Sequence, residues 1–200
     1  MPTEADLKER ARIMVTRMMD VSRVVYAIPF TVGREAMENA VRASGLVLTE
    51  TAEEADVSRW THDDDVLVLL ERADLGVFIF EVRGKGAVDR ARAILELVPF
   101  VPQSRLLSQA IDVASPDASK ALLVLAHSVV VWDDDWGDLF LLHLASPDPI
   151  ARHTAVMATF LAAMASDARE PARALLKEAL DREKFPKLRD TMQDAIDRLA

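Results

Sequence analysis

The sequence has no cysteine among its 200 residues. The chain can therefore form no disulfide, no thiolate metal site and no cysteine nucleophile. It also lacks long apolar runs: the longest, from Ala121 to Trp132, is interrupted by His127 and Ser128. A membrane-spanning helix needs roughly 18 or more apolar residues, and a secretory signal needs an apolar stretch where charged residues occur between Glu4 and Arg12. We therefore expect a cytoplasmic protein with no membrane segment.

The sequence has no excess of positive charge in either half. Its 24 Lys and Arg residues face 33 Asp and Glu residues, which gives a formal charge of −9. Residues 1–102 carry 13 cations against 18 anions, and residues 103–200 carry 11 against 15. Because nucleic-acid binding and attachment to anionic lipid both draw on Lys and Arg, we expect neither ligand. A cationic protein partner suits this balance.

The first half of the sequence mixes helical and strand patterns. Apolar residues recur at helical spacing in the first segment, and later runs are β-branched or aromatic and bounded by glycine or proline. We predict helices over Glu4–Met19, Arg34–Ser44 and Ala87–Leu97, and strands over Val21–Phe30, Leu46–Thr49, Val66–Leu70 and Gly76–Val82. The last two strands are predicted to form a hairpin.

The second half is helical in period and contains an internal repeat. Ser115-Pro116-Asp117-Ala118 recurs 31 residues later as Ser146-Pro147-Asp148-Pro149, and a weaker copy begins at Phe185-Pro186. Serine, proline and aspartate are all typical of helix starts, so each copy predicts the beginning of a helix. Periods of this length are typical of helical solenoids.

The segment DPIARHTAVMATFLAAMA resembles the second helix of a HEAT repeat. Asp148 and Pro149 stand at the turn, Arg152 follows early, and Ala155 and Ala158 are small enough for close helix packing. The resemblance covers residues 103–200 and implies a stack of five to six antiparallel helices without strands. We expect the apolar helix from Ile150 to Met164 to be covered by neighbouring helices on several sides.

Together these patterns predict an α+β protein with two domains. Residues 1–102 are expected to form a small layer of helices against a mostly antiparallel sheet, and residues 103–200 a HEAT-like stack of helical hairpins. Pro99 and Pro102 mark the boundary between the two.

Two acidic segments with adjacent tryptophans are the candidate partner-binding residues. They are Trp60, Asp63, Asp64 and Asp65 in the first half, and Trp132, Asp133, Asp134, Asp135, Trp136 and Asp138 in the second. Carboxylates with no cation nearby in the sequence repel one another, and a basic partner would relieve that repulsion, while tryptophan supplies an apolar anchor. On this reasoning, neutralising Asp133, Asp134 and Asp135 should leave folding unharmed. Core packing and solvated loops are the alternatives for these residues.

No motif in the sequence indicates catalysis or a cofactor. The acidic segments lack the spacing of a calcium loop, and His62, His127, His143 and His153 are not paired at ligand spacing on one helix. Gly84-Lys85-Gly86 lacks the remaining residues of a phosphate-binding loop. We therefore expect no catalytic, metal-binding or cofactor-binding residue.

A non-enzymatic protein-binding module is the function that these observations favour. An immunity- or antitoxin-like protein that neutralises a basic partner is one form of it. Two alternatives stay open: a structural scaffold or assembly subunit, and an enzyme of a HEAT-like family.

Overall fold

The computed structural model describes residues 3–17, 22–52 and 56–200, without the side chains at 12, 13, 15–17 and 52. The chain divides into two compact units, Met19–Gln103 and a helical unit of Met1–Met18 with Ser104–Ala200. The protein has the expected α+β layout, a five-stranded antiparallel sheet with helices and a C-terminal helical stack. Met18, Met19 and Val21, at the ends of two predicted elements, lie outside the described residues.

The sheet unit combines five strands with two helices. All paired strands are antiparallel, in the order β1-β5-β4-β3-β2. Its elements are β1 (Arg23–Pro29), α2 (Arg34–Ala43), β2 (Val47–Ala52), β3 (Val57–His62), β4 (Asp65–Arg72), β5 (Val77–Arg83) and α3 (Ala87–Leu95). Helix α2 ends before Gly45, whose φ of 87° is favourable for glycine and supports the predicted stop. The core of this unit lies where α2 and α3 cover one face of the sheet.

Strand β3 was not predicted, and it changes the topology. Its Ser58 and Trp60 point into the core while Arg59 is exposed, so the strand alternates as expected for a half-buried sheet. The alternation is short and is followed by three aspartates, so the sequence alone did not indicate a strand here. Because β3 pairs with both β2 and β4, the predicted short strand β2 becomes the edge of the sheet.

The helical unit contains six helices between residues 103 and 200, and the described residues there include no strand. These are α4 (Gln103–Ile111), α5 (Ala118–Ala126), α6 (Asp134–Leu144), α7 (Pro149–Ser166), α8 (Arg169–Arg182) and α9 (Pro186–Arg198). Helices α5, α7 and α9 lie side by side in one layer, and α6 and α8 lie in a second. The number of helices agrees with the prediction. Among the described helices, none combines the length and the apolar character needed to cross a bilayer.

Helix α1 (Glu4–Arg17) belongs to the helical unit and contacts α6. The sequence-based division at residue 102 placed this helix with the sheet instead. Leu7 and Met14, seven residues apart on one face of α1, are almost fully buried. Amphipathic spacing shows which face of a helix is buried but not which part of the chain covers it, and this is why the assignment differed.

The repeated Ser-Pro-Asp motifs do start helices, but aspartate is the capping residue. Asp148 is the N-cap of α7, where its Oδ1 accepts a hydrogen bond from the amide of Ile150 at 3.0 Å. Ser146 Oγ in turn accepts from the Asp148 amide at 3.2 Å, and Ser115 Oγ accepts likewise from the Asp117 amide at 3.4 Å. In both copies the serine thus shapes the turn before the helix and an aspartate occupies the N-cap position. The Asp148 side chain caps α7, whereas the Asp117 side chain makes no capping hydrogen bond to α5.

Truncation of Leu7 tests the placement of α1. We expect Leu7→Ala to lower the free energy of unfolding of the helical unit by about 3 kcal/mol, because it leaves a cavity at a fully buried site. The measurement is urea denaturation followed by far-ultraviolet circular dichroism. Glu9→Ala, an exposed change on the same helix, is the control and should have little effect. Equal behaviour of the two variants would contradict the packing of α1.

Candidate functional site

The acidic segment Asp133–Asp138 forms the start of α6. Asp133 is the N-cap, and its Oδ1 accepts hydrogen bonds from the amides of Asp135 at 3.0 Å and Trp136 at 3.2 Å. Asp134 and Asp135 occupy the first turn, where the positive end of the helix dipole stabilises carboxylates. This local chemistry explains why three aspartates stand together at this point.

Arg10 of α1 binds two of these carboxylates. Its Nη1 donates to Asp135 Oδ1 at 2.6 Å and its Nη2 donates to Asp138 Oδ2 at 2.8 Å. Asp135 and Asp138 are three apart on α6, so both face the guanidinium. The hydrogen bond to Asp138 and the nearby carboxylates raise the pKa of Arg10 above its usual value. The cluster thus has a cation that is distant in the sequence. With Asp133 as the N-cap and Asp135 bound to Arg10, we expect neutralisation of these two residues to lower stability.

The two tryptophans of this segment differ in accessibility. Trp136 is almost fully buried, and its ring lies 6.0 Å from that of Phe140. Trp132 precedes the helix and is only partly buried, and its ring centroid lies 5.2 Å from that of Phe140. Trp136 is thus a core residue, whereas Trp132 can contact a partner.

A groove lies between α6 and α8 in the helical unit. The groove is open to solvent and has a volume of about 610 Å³.

The lining of the groove combines an apolar floor with carboxylates. The apolar residues are Trp132, Leu141, Pro171, Ala174 and Leu175, and the charged ones are Asp134, Asp138, Glu178 and Arg10. Asp138 is bound by Arg10, and Glu178 forms an exposed ion pair with Arg182 on α8. Such a surface suits a ligand that has both an apolar side and positive charge.

The first acidic segment has a different setting, in the turn between β3 and β4. Asp63 and Asp64 are exposed at this turn, and Asp63 has a φ of 50°. Trp60 is fully buried in the core of the sheet unit, where the Arg42 guanidinium lies 5.4 Å from its ring. A partner can therefore reach Asp63 and Asp64 but not Trp60.

Asp65 is buried and has a structural role within the sheet unit. Its Oδ1 accepts from the Gly86 amide at 2.9 Å and its Oδ2 from Arg90 Nε at 3.2 Å. A phosphate bound by the Gly84-Lys85-Gly86 segment would have to lie at the N-terminus of α3. The carboxylate of Asp65 already occupies that position. A β-carbon at Gly86 would lie 2.3 Å from Asp65 Oδ2, so glycine is required by this close approach.

The histidines are dispersed in the structure. His143 of α6 is buried, and its Nε2 lies 2.6 Å from the carbonyl oxygen of Ala110. Burial lowers the pKa of His143 below its usual value. Within the part of the chain that the structure describes, no group of three or more His, Asp or Glu side chains could hold a metal ion.

A second cavity, separate from the groove and with a volume of about 350 Å³, is lined by the ion pair of Arg152 and Glu183. Arg152 of α7 donates to both carboxylate oxygens of Glu183, from Nε at 2.6 Å and from Nη2 at 3.0 Å. Glu183 Oε1 also accepts from the amides of Lys184 and Phe185. The hydrogen bond from Arg152 lowers the pKa of Glu183. These groups use their hydrogen-bonding capacity on one another, which fits a structural role.

Sequence reasoning missed Arg10, Leu175 and Glu178 of the groove. Arg10 is 125 residues from Asp135 along the chain, and α8 is a separate helix from α6. No spacing in the sequence connects these residues, because only the packing of α1 and α8 against α6 brings them together.

Comparison with protein-family models, with curated proteins and with solved structures finds no match for this chain.

Removal of the Arg10 guanidinium tests the balance of charge at α6. We expect Arg10→Ala to lower the free energy of unfolding by about 2 kcal/mol, because two hydrogen bonds to carboxylates are lost and Asp135 stays buried. Arg10→Ala combined with Asp135→Asn should recover part of the loss. Urea denaturation measures both, and Arg92→Ala, which removes an exposed ion pair with Asp89, is the matched control. A loss no larger than that of the control would contradict the assigned role.

The buried His143 predicts a pH dependence of stability. Its folded pKa lies below its usual value near 6.5, so the unfolded chain binds the proton more readily. This contribution to stability is full above the usual pKa and decreases as the pH falls below it. We expect His143→Gln to reduce the loss of stability between pH 7.5 and pH 5.5, measured by urea denaturation. His153→Gln, at an exposed position of α7, should leave that loss unchanged.

Proposed function

We propose that this protein is a non-enzymatic binding protein whose groove between α6 and α8 receives a basic, amphipathic segment of a partner protein. The observation that carries the proposal is the lining of the groove, where Asp134, Asp138 and Glu178 border an apolar floor that includes the accessible Trp132. Asp63 and Asp64, from the same set of predicted residues, lie in the sheet unit and form no part of this groove.

Charge and apolar contact have separate roles in this proposal. The carboxylates attract a cationic partner over distances comparable with the Debye length, about 8 Å at physiological salt, and favour it over acidic partners. Contact with Trp132, Leu141 and Leu175 removes apolar surface from water and supplies affinity. Asp138 keeps its contact with Arg10, which holds the carboxylate in place at the rim.

An immunity- or antitoxin-like role is the narrower form of the proposal. In that role the groove would bind a cationic, amphipathic segment of a toxic protein in the cytoplasm. The formal charge of −9 and the absence of cysteine support this form.

A pair of designed peptides tests the proposal. One is a 14-residue amphipathic helix with leucine on one face and lysine on the other, and the second replaces each lysine with glutamate. We expect the lysine peptide to bind with a Kd that rises with salt, because the attraction is electrostatic, and the glutamate peptide to bind at least about tenfold more weakly. Isothermal titration calorimetry at low and physiological salt measures both.

A double substitution locates the binding. Asp134→Asn with Glu178→Gln should weaken binding of the lysine peptide and flatten its salt dependence, since it removes two carboxylates of the groove. Asp89→Asn with Glu96→Gln, two exposed carboxylates of the sheet unit, is the matched control for net charge. Equal weakening in both double variants would show binding to net charge alone and would refute the groove.

A further inference from the structure

The groove between α6 and α8 adjoins the cavity beside Arg152. Both spaces are bordered by the same two helices, and Leu141 lines both of them. The α8 residues that border the groove lie between positions 171 and 178, and those that border the cavity follow from position 179. The two spaces are therefore successive parts of one surface, which extends along α8 from position 171 to position 182, a length of about 16 Å.

The two helices run in the same direction along this surface. Their N-terminal halves border the groove, and their C-terminal ends border the cavity. The cavity continues the apolar floor through Leu141, Leu144, Ala145 and Ala179. A partner segment can therefore keep its apolar contact as it passes from the groove to the cavity.

The two parts of the surface have opposite charge. The groove is lined by three carboxylates and one guanidinium, whereas the cavity is lined by three cations and one carboxylate, namely Arg152, Arg182, Lys184 and Glu183. Two carboxylates close by in the sequence, Asp148 and Asp181, do not line the cavity. A chain with a formal charge of −9 thus has a local excess of positive charge at this place.

Internal ion pairs leave part of this charge to a partner. Arg152 is bound to Glu183, and Arg10 to Asp138. The other charged lining residues are exposed, and they are Asp134 and Glu178 at the groove and Arg182 and Lys184 at the cavity. Glu178 and Arg182 pair with each other at the junction, but their side chains are 53% and 50% exposed, and ion pairs of this kind contribute little to stability. A partner with charges of both signs can replace that pair.

The ends of the helices determine the direction in which a bound segment continues. The groove covers positions 134 to 141 of α6, which is only about 10 Å. At its far end both walls begin, α6 at Asp134 and α8 at Arg169, so the walls continue only past Leu141. A helical segment of 14 residues is about 21 Å long. To stay in contact with both helices, such a segment must extend over the cavity.

We infer that the partner segment carries charge of both signs, with basic side chains in the groove and carboxylates at the cavity, where Arg182 and Lys184 bind them. This inference rests on the function proposed above and specifies the partner further. A segment that is basic throughout would bring its second half against two cations, and this repulsion disfavours it.

Two 14-residue peptides of identical composition test the pattern of charge. Both have leucine on one helix face. The bipolar peptide has glutamate at the polar positions of its N-terminal half and lysine at those of its C-terminal half, and the mixed peptide alternates the two. We expect the bipolar peptide to bind at least about tenfold more tightly in isothermal titration calorimetry, since only its charges match both parts of the surface. Circular dichroism checks that the two free peptides have comparable helix content.

A double substitution at the cavity tests the assigned cations. Arg182→Gln with Lys184→Gln should weaken binding of the bipolar peptide about tenfold. The same variant should bind the lysine peptide more tightly, because it removes two repelling charges and releases Glu178 from its ion pair. Lys85→Gln with Arg92→Gln, two exposed cations of the sheet unit, is the matched control for net charge and should leave binding of the bipolar peptide unchanged.

The absence of cysteine allows disulfide formation to locate each end of the peptide. Ala145→Cys introduces a thiol at the cavity and Ala174→Cys one at the groove, both at exposed positions. A bipolar peptide with a terminal cysteine beside its glutamates should link to the first variant, and one with a terminal cysteine beside its lysines should link to the second. Mass spectrometry after mild oxidation measures the four combinations.

Equal affinity of the bipolar and mixed peptides would overturn the inference, as would equal linkage of both peptide ends to Ala145→Cys. Equal effects of the two double substitutions on the bipolar peptide would also overturn it. In each case the function proposed above would stand if the lysine peptide binds and Asp134→Asn with Glu178→Gln weakens that binding. If neither the lysine peptide nor the bipolar peptide binds, the proposed function fails and this inference fails with it.

Discussion

The ion pair between Arg152 and Glu183 joins the successive hairpins of the helical unit. Arg152 lies in the first turn of α7, and Glu183 is the residue that ends α8. The side chain of Glu183 is only 3% exposed, and its partners include the guanidinium and the two amides that precede α9. Arg152 Nη1 also donates to the carbonyl oxygens of Ser146 and Pro147. The turn before α7 and the turn before α9 are thereby held at one point.

Arg189 repeats part of this arrangement one repeat later. Its Nη1 donates to the carbonyl oxygens of Leu180 and Glu183, and these bonds hold the start of α9 to the end of α8. In the same way, the bonds from Arg152 hold the start of α7 to the turn that precedes it. Bonds from a guanidinium to several carbonyls satisfy acceptors that a helix end would otherwise leave unpaired. The stacking of the hairpins fixes where α6 and α8 lie, and with them the walls of the groove.

Internal ion pairs also reduce the number of carboxylates that a partner can contact. Asp65 is bound by Arg90 and by the amide of Gly86, and Asp135 by Arg10. Both were candidates for partner binding, yet both are buried. The formal charge therefore overstates the charge that is free for recognition. Exposed carboxylates such as Asp134 are a smaller set, and Asp134 borders apolar surface in the groove between α6 and α8.

The sequence by itself determined most helices and strands, the helical second half and the starts of α5, α7 and α9, because these depend on local spacing and on capping chemistry. It did not reveal β3, whose short alternation ends among aspartates. Only the tertiary structure decided that α1 packs on α6, that Arg10 balances Asp135 and Asp138, and that Trp60 and Trp136 are core residues while Trp132 is accessible. Those outcomes depend on contacts between residues far apart in the chain, and periodicity along one segment carries no information about which distant segment covers it.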